Sequence, residues 1–112
     1  LLHPSEKPRQ SYIAEQLGDS SEPVIVATDY MKSYAEQMRA YIKQPMYVLG
    51  TDGFGRSDSR AALRHFFEVD RYFVVVTALK ALADQGVIKP TVVAKAIKEF
   101  GIDPEKSNPL YL

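Results

Sequence analysis

Two short apolar runs separated by one helical stretch constrain this chain more than any other feature of it. Val24-Ile25-Val26-Ala27-Thr28 and Met46-Tyr47-Val48-Leu49 are each continuous, and the first is rich in β-branched residues. Such runs read as strands, the first buried on both faces as in a parallel sheet. Between them Met31, Ala35, Met38 and Ile42 recur at helical spacing, with Tyr30, Tyr34 and Tyr41 on an adjacent stripe. Asp29 is placed to cap that helix, and Lys43-Gln44-Pro45 to end it. Strand, helix, strand implies a right-handed crossover and a parallel pair, hence an α/β fold. Two parallel strands do not make a stable sheet alone. The expectation is an incomplete three-layer α/β/α domain over residues 1–112, with a short, mainly parallel sheet and several flanking helices. Further strands would come from a preceding segment or a partner chain. The opening Leu1-Leu2-His3-Pro4, without an initiator Met, reads as the tail of a severed helix.

The flanking segments read as helices and turns. Pro8 to Leu17 suits a short helix with Pro8 near its first turn, Tyr12, Ile13 and Leu17 on one face and Gly18 as its stop. Ser57 or Asp58 can cap a helix reaching Phe67, with Leu63 and Phe66 or Phe67 turned inward. Asp70 caps a longer one, Arg71 to Gln85, closed by Gly86. Its start, Tyr72-Phe73-Val74-Val75-Val76, has strand propensity, but Phe73, Val76, Leu79, Leu82 and Ala83 hold the 3.6-residue period beyond any strand length. Pro90 opens a last helix to Phe100, with Val93, Ala94, Ile97 and Phe100 inward and Gly101 after it. Asp103 to Lys106 supports one more turn at most, and Asn108-Pro109-Leu110-Tyr111-Leu112 trails off.

Composition narrows the function classes. The 112 residues carry 14 Lys+Arg against 14 Asp+Glu, with 46% hydrophobic residues. At this length a single domain buries roughly two-thirds of its unfolded surface. A net charge of 0 argues against nucleic acid or an anionic membrane as the main partner, since both need a concentrated basic field. With no Cys, disulfides, thiolate metal sites and thiol nucleophiles are excluded, and the cytoplasm is the default compartment. No run is long enough to span a bilayer as a helix, and no secretory signal pattern opens the chain.

One loop stands out: Gly50-Thr51-Asp52-Gly53-Phe54-Gly55-Arg56-Ser57-Asp58-Ser59-Arg60. It joins a strand to a helix N-terminus, where phosphate-binding loops often sit. Its glycines fall as G-x-x-G-x-G, however, with no G-K-[ST] following, so it matches neither nucleotide-binding pattern. Asp52, Arg56, Asp58 and Arg60 are its charges. They suit a tight turn whose acids cap a helix and pair with the arginines, or a small-ligand site. Asp52-Gly53 also invites comparison with the G-D-G…N pattern that holds magnesium and diphosphate, but Thr51 precedes it and the single Asn is Asn108. His3 and His65 lack convergent partners at workable spacing for a metal or acid–base site. The tyrosine stripe, with Phe66, Phe67, Tyr72 and Phe73, suits a core or, in excess, a subunit interface. No catalytic, cofactor-binding or metal-binding residue emerges.

Val24 to Lys32, Tyr47 to Arg60 and Leu63 to Asp70, with Leu2-His3-Pro4 and Pro8-Arg9 upstream, resemble the C-terminal end of the homodimeric bacterial pyruvate dehydrogenase components. These are thiamine diphosphate-dependent, decarboxylating enzymes of the transketolase-like superfamily. The resemblance implies most of a transketolase C-terminal-like domain, lacking its first strand and helix. It implies thiamine diphosphate and magnesium in the full-length enzyme, held by other domains. It further implies a second copy of the chain and a lipoyl acetyltransferase as partners, and an inactive fragment on its own. The alternative expectation is a free-standing ligand or interaction module using Gly50 to Arg60.

Overall fold

The computed structural model describes residues 2–53 and 55–111. Strands β1 (Val24–Ala27) and β2 (Met46–Leu49) pair in parallel, Val24 opposite Met46 and Ala27 opposite Leu49. Helix α2 (Lys32–Glu36) and a 3₁₀ turn (Arg39–Tyr41) lie between them in sequence. After β2 come α3 (Arg60–Phe66), α4 (Arg71–Asp84) and α5 (Pro90–Glu99); α1 (Tyr12–Leu17) precedes the sheet. Helix α4 packs on both strands, α2 on β2 and α5 on α4. The described residues thus form a small α/β fold, as the strand–helix–strand order predicts.

Burial departs from expectation. The residues of β1 are at most half-buried, so the run Val24 to Thr28 is not enclosed on both faces. The core is built from small side chains: Ala14, Ala35, Ala81 and Ala96 are buried, with Met46 and Val93. The chain exposes 8540 Å², where a compact protein of its mass exposes about 6,200 Å². Its radius of gyration is 16.9 Å, against about 13 Å for a compact domain of this length. A two-stranded sheet offers too little apolar area to cover five helices. The expected burial of two-thirds of the unfolded surface is therefore not reached. Tyr30, Tyr34 and Tyr41, a candidate core stripe, are instead 68%, 62% and 57% exposed.

Helix boundaries follow the caps. Helix α1 starts at Tyr12 rather than near Pro8, because the Ser11 hydroxyl accepts from the Ala14 amide at 3.2 Å. Its buried residue is Ala14, whereas Tyr12 and Leu17 face solvent. Helix α2 stops at Glu36 and does not continue to Ile42. Amides of Met38 and Tyr41 turn to carbonyls three residues back, which tightens the chain into the 3₁₀ turn. Arg39 fixes that turn: it forks onto Glu36 and donates to the Met46 carbonyl at 2.9 Å.

Helix α3 is capped by Ser59, which accepts from Ala62, and not by Ser57 or Asp58. Asp70 caps α4 as predicted, one carboxylate oxygen accepting from the Tyr72 and Phe73 amides at 3.0 Å each. The 72–76 segment is helical, the 3.6-residue period prevailing over β propensity. In α5 the buried residues are Val93 and Ala96; Ala94 is exposed, one position round the helix from the expected face. The tail does not simply trail off. Asn108 accepts from the Leu110 amide, and Pro109 is buried in a second 3₁₀ turn, Pro109–Tyr111.

Candidate functional site

The carboxyl ends of the two strands are tied together by the residues that follow them. After β2, the Thr51 amide donates to the Tyr30 carbonyl at 2.9 Å, and the Thr51 hydroxyl donates to the Asp29 carbonyl at 2.8 Å. The Asp52 carboxylate accepts from the Lys32 amide at 3.1 Å. It thereby does the capping expected of Asp29, from a position 20 residues beyond Lys32. Met31 occupies the cap position of α2 without a side-chain cap. Gly50 is needed for this approach: a Cβ there would lie 2.8 Å from the Lys32 nitrogen and 2.9 Å from the Tyr30 oxygen.

Gly53 takes a second constraint, from the tail. Its φ is +115°, and a Cβ would sit 2.6 Å from the Pro109 carbonyl oxygen. Lys106 strengthens the same closure, donating to the Phe66 carbonyl at 2.8 Å and pairing with Glu68 at 3.4 Å. The loop is thus held from β1's end on one side and from the C-terminal segment on the other.

Beyond this clamp the loop and α3 enclose a cleft of about 510 Å³. Arg56, Asp58 and Arg60 line it, joined by Asp29 and Arg64. Leu63, Phe67 and Val69 supply apolar wall. Of the four charged loop residues singled out in the sequence, three converge here. Asp52 does not, because its carboxylate is turned to α2. Asp58 accepts from the Ser59 amide at 2.7 Å. Arg56 sits over the Phe66 ring, 4.1 Å from its centroid. Arg64 approaches Asp29 at 3.8 Å. Arg64 is not among the residues that the loop sequence singles out; its position four residues after Arg60, on the same helix face, is the signal that would have found it. Asp29 carries no such signal, since only the parallel pairing brings it beside the loop.

Both histidines make peripheral contacts. His3 lies 3.5 Å from Glu6, and His65 lies 3.3 Å from Asp70 and against the Phe73 ring. Among the described residues, no group of three His, Cys, Asp or Glu could hold a metal ion. The displaced ionisations lie away from the cleft. The Lys80 ammonium, hydrogen-bonded to Asp84, holds that carboxyl below its ordinary value, and Tyr47 adds a hydrogen bond from β2 at 3.1 Å. Desolvation, then Asp84, raises the Tyr47 phenol. Arg39 lowers Glu36 by its hydrogen bonds. No helix among the described residues is long and apolar enough to cross a membrane.

Residues 5–70, the segment containing both strands and the residues that line the cleft, match the model of the transketolase-like TK C-terminal domain. The chain belongs to that family. This transketolase-like domain is 64% identical over 110 residues to the pyruvate dehydrogenase E1 component of Pseudomonas aeruginosa, covering 97% of this chain and 12% of the relative. It is 56% identical over 110 residues to the same component of Cupriavidus necator, covering 98% of this chain and 12% of the relative. For Escherichia coli K12 the identity is 56% over 110 residues, with 97% and 12% covered. The resemblance carried by the two strands and the Gly50–Arg60 loop therefore holds across nearly all of this chain. The chain spans only about an eighth of the length of these relatives.

Proposed function

We propose that this transketolase-like domain is the C-terminal part of a pyruvate dehydrogenase E1 component. The identity of 64% to the Pseudomonas aeruginosa relative carries this reading. In it the whole chain decarboxylates pyruvate with thiamine diphosphate and magnesium. It then reductively acetylates lipoyl groups of an acetyltransferase partner, as a cytoplasmic homodimer. Residues 1–112 form part of the third domain, whose first strand and helix precede them, and serve structure and dimer rather than chemistry. The large exposed surface and the exposed tyrosines support a domain that packs on further protein.

The residues in hand do not suit a thiamine diphosphate cradle. Asp52-Gly53 follows Thr51 rather than a glycine, and the Asp52 carboxylate is spent on the Lys32 amide. The reading therefore assigns the cofactor to other parts of the whole chain. Titrating thiamine diphosphate against residues 1–112 alone tests this, with no saturable binding expected. The whole chain should bind it and release carbon dioxide from pyruvate. Tight cofactor binding by the 112 residues, or a whole chain without that activity, would sink the reading.

A further inference from the structure

The cleft between the β2–α3 loop and α3 carries an arrangement that fold stability does not explain. Arg60 is the first residue of α3, and Arg64 lies one turn on, lining the same cleft. A cation in the first turn opposes the helix dipole, and like charges four residues apart repel. The first turn of α3 holds no acidic residue to offset them. Among the described residues, Arg56 and Arg60 form no ion pair, while Arg64 has only the long contact to Asp29. Positions that break a local rule without local compensation are where function tends to be found.

We propose that this cleft binds a short-chain carboxylate. The carboxylate group lies between the guanidinium groups of Arg56 and Arg60, whose planar forks match it with paired N–H···O bonds. Phe66 restricts Arg56 by holding its guanidinium over the ring, 4.1 Å from the centroid. The apolar body rests on Leu63, Phe67 and Val69. At about 510 Å³ the cleft is within the range of small-molecule sites. Three guanidinium groups face two carboxylates, Asp29 and Asp58, so the lining favours a monoanion and disfavours a phosphate dianion. The helix amides are not required, since Ser59 already takes the Ala62 amide.

This inference does not rest on the pyruvate dehydrogenase reading, and its test needs no activity measurement. Isothermal titration of the intact chain with sodium butyrate near neutral pH should give saturable binding. Butyramide, its uncharged analogue, should give none, and inorganic phosphate should bind more weakly than butyrate. Arg56→Gln and Arg60→Gln should each weaken butyrate by about 10-fold or more, as expected for a lost hydrogen bond to a charged group. Arg60→Gln should at the same time leave the melting temperature unchanged or raise it, because it removes a cation from a helix start. Lys98→Gln, on α5, should change nothing. The proposal is overturned if butyrate does not saturate, if butyramide or phosphate binds as well, or if both arginine variants bind like the parent.

Discussion

The Asp52 carboxylate accepts a hydrogen bond from the Lys32 amide at 3.1 Å, joining the loop after β2 to the start of the helix after β1. The same helix start lacks a cap of its own, since Met31 occupies that position. One contact therefore both begins α2 and sets the floor from which the Arg56–Arg60 segment departs. Asp52→Ala should cost about 1 kcal/mol, the usual loss on removing an N-terminal cap. Asp29→Ala should cost less than about 0.5 kcal/mol, since among the described residues its side chain makes only a long, exposed ion pair. Urea unfolding of the two variants checks the contrast, and a larger loss for Asp29→Ala would reverse the assignment.

Gly50→Ala meets backbone on two sides, the Lys32 nitrogen and the Tyr30 oxygen. Neither can yield without separating the strand ends, so a loss of about 2 kcal/mol or more is expected. Gly55→Ala, with no atom of the other described residues within 4 Å of the added carbon, is the matched control and should be mild. Thermal melts of both distinguish a close-packed clamp from a generally fragile loop.

The tail contact makes Gly53 sensitive for a different reason. An alanine there combines a positive φ with a Cβ at 2.6 Å from the Pro109 oxygen. The expected loss is about 1–3 kcal/mol. Removing residues from Asn108 onward in a Gly53→Ala background should leave only the conformational part, so the two changes should be less than additive. Strict additivity would argue that the tail does not press on this loop.

Stability should fall on both sides of neutral pH through the Tyr47–Asp84–Lys80 cluster. Asp84 is held below its ordinary value, chiefly by its hydrogen bond from Lys80. Its contribution is therefore present above the unfolded-state value of about 4 and is lost as pH falls through the lower folded value. Lys80 is raised, first by its hydrogen bond to Asp84, and Tyr47 is raised, first by desolvation. Their contributions are present below their unfolded values near 10 and are lost as pH rises through the folded ones. Asp84→Asn should flatten both limbs of a stability–pH profile, and an unchanged profile would contradict the coupling.

Much of the framework follows from residues within one or two helical turns of each other. The β-branched run at Val24, the Asp70 cap three residues before Phe73, the long period of α4 and the Pro90 start of α5 are local signals, and each is realised. The parallel pairing itself also follows, because a single helical stretch between two strands leaves little choice. At α3 the local pattern points to Ser57 or Asp58 as the cap, whereas the folded chain uses Ser59; neighbouring polar side chains each offer a similar oxygen, and the sequence does not rank them.

What only the tertiary structure decided are the contacts between distant residues. Asp52 reaching Lys32, Pro109 pressing on Gly53, Gln85 donating to the Ser21 carbonyl and Lys106 reaching Phe66 link positions that no local pattern connects. Asp29 lost its expected capping role to such a contact and gained a place in the arginine cleft. Periodicity and capping propagate along the chain over three or four residues. The partners of a buried or clustered polar group are instead set by which elements the sheet brings together, and that is a property of the folded chain alone.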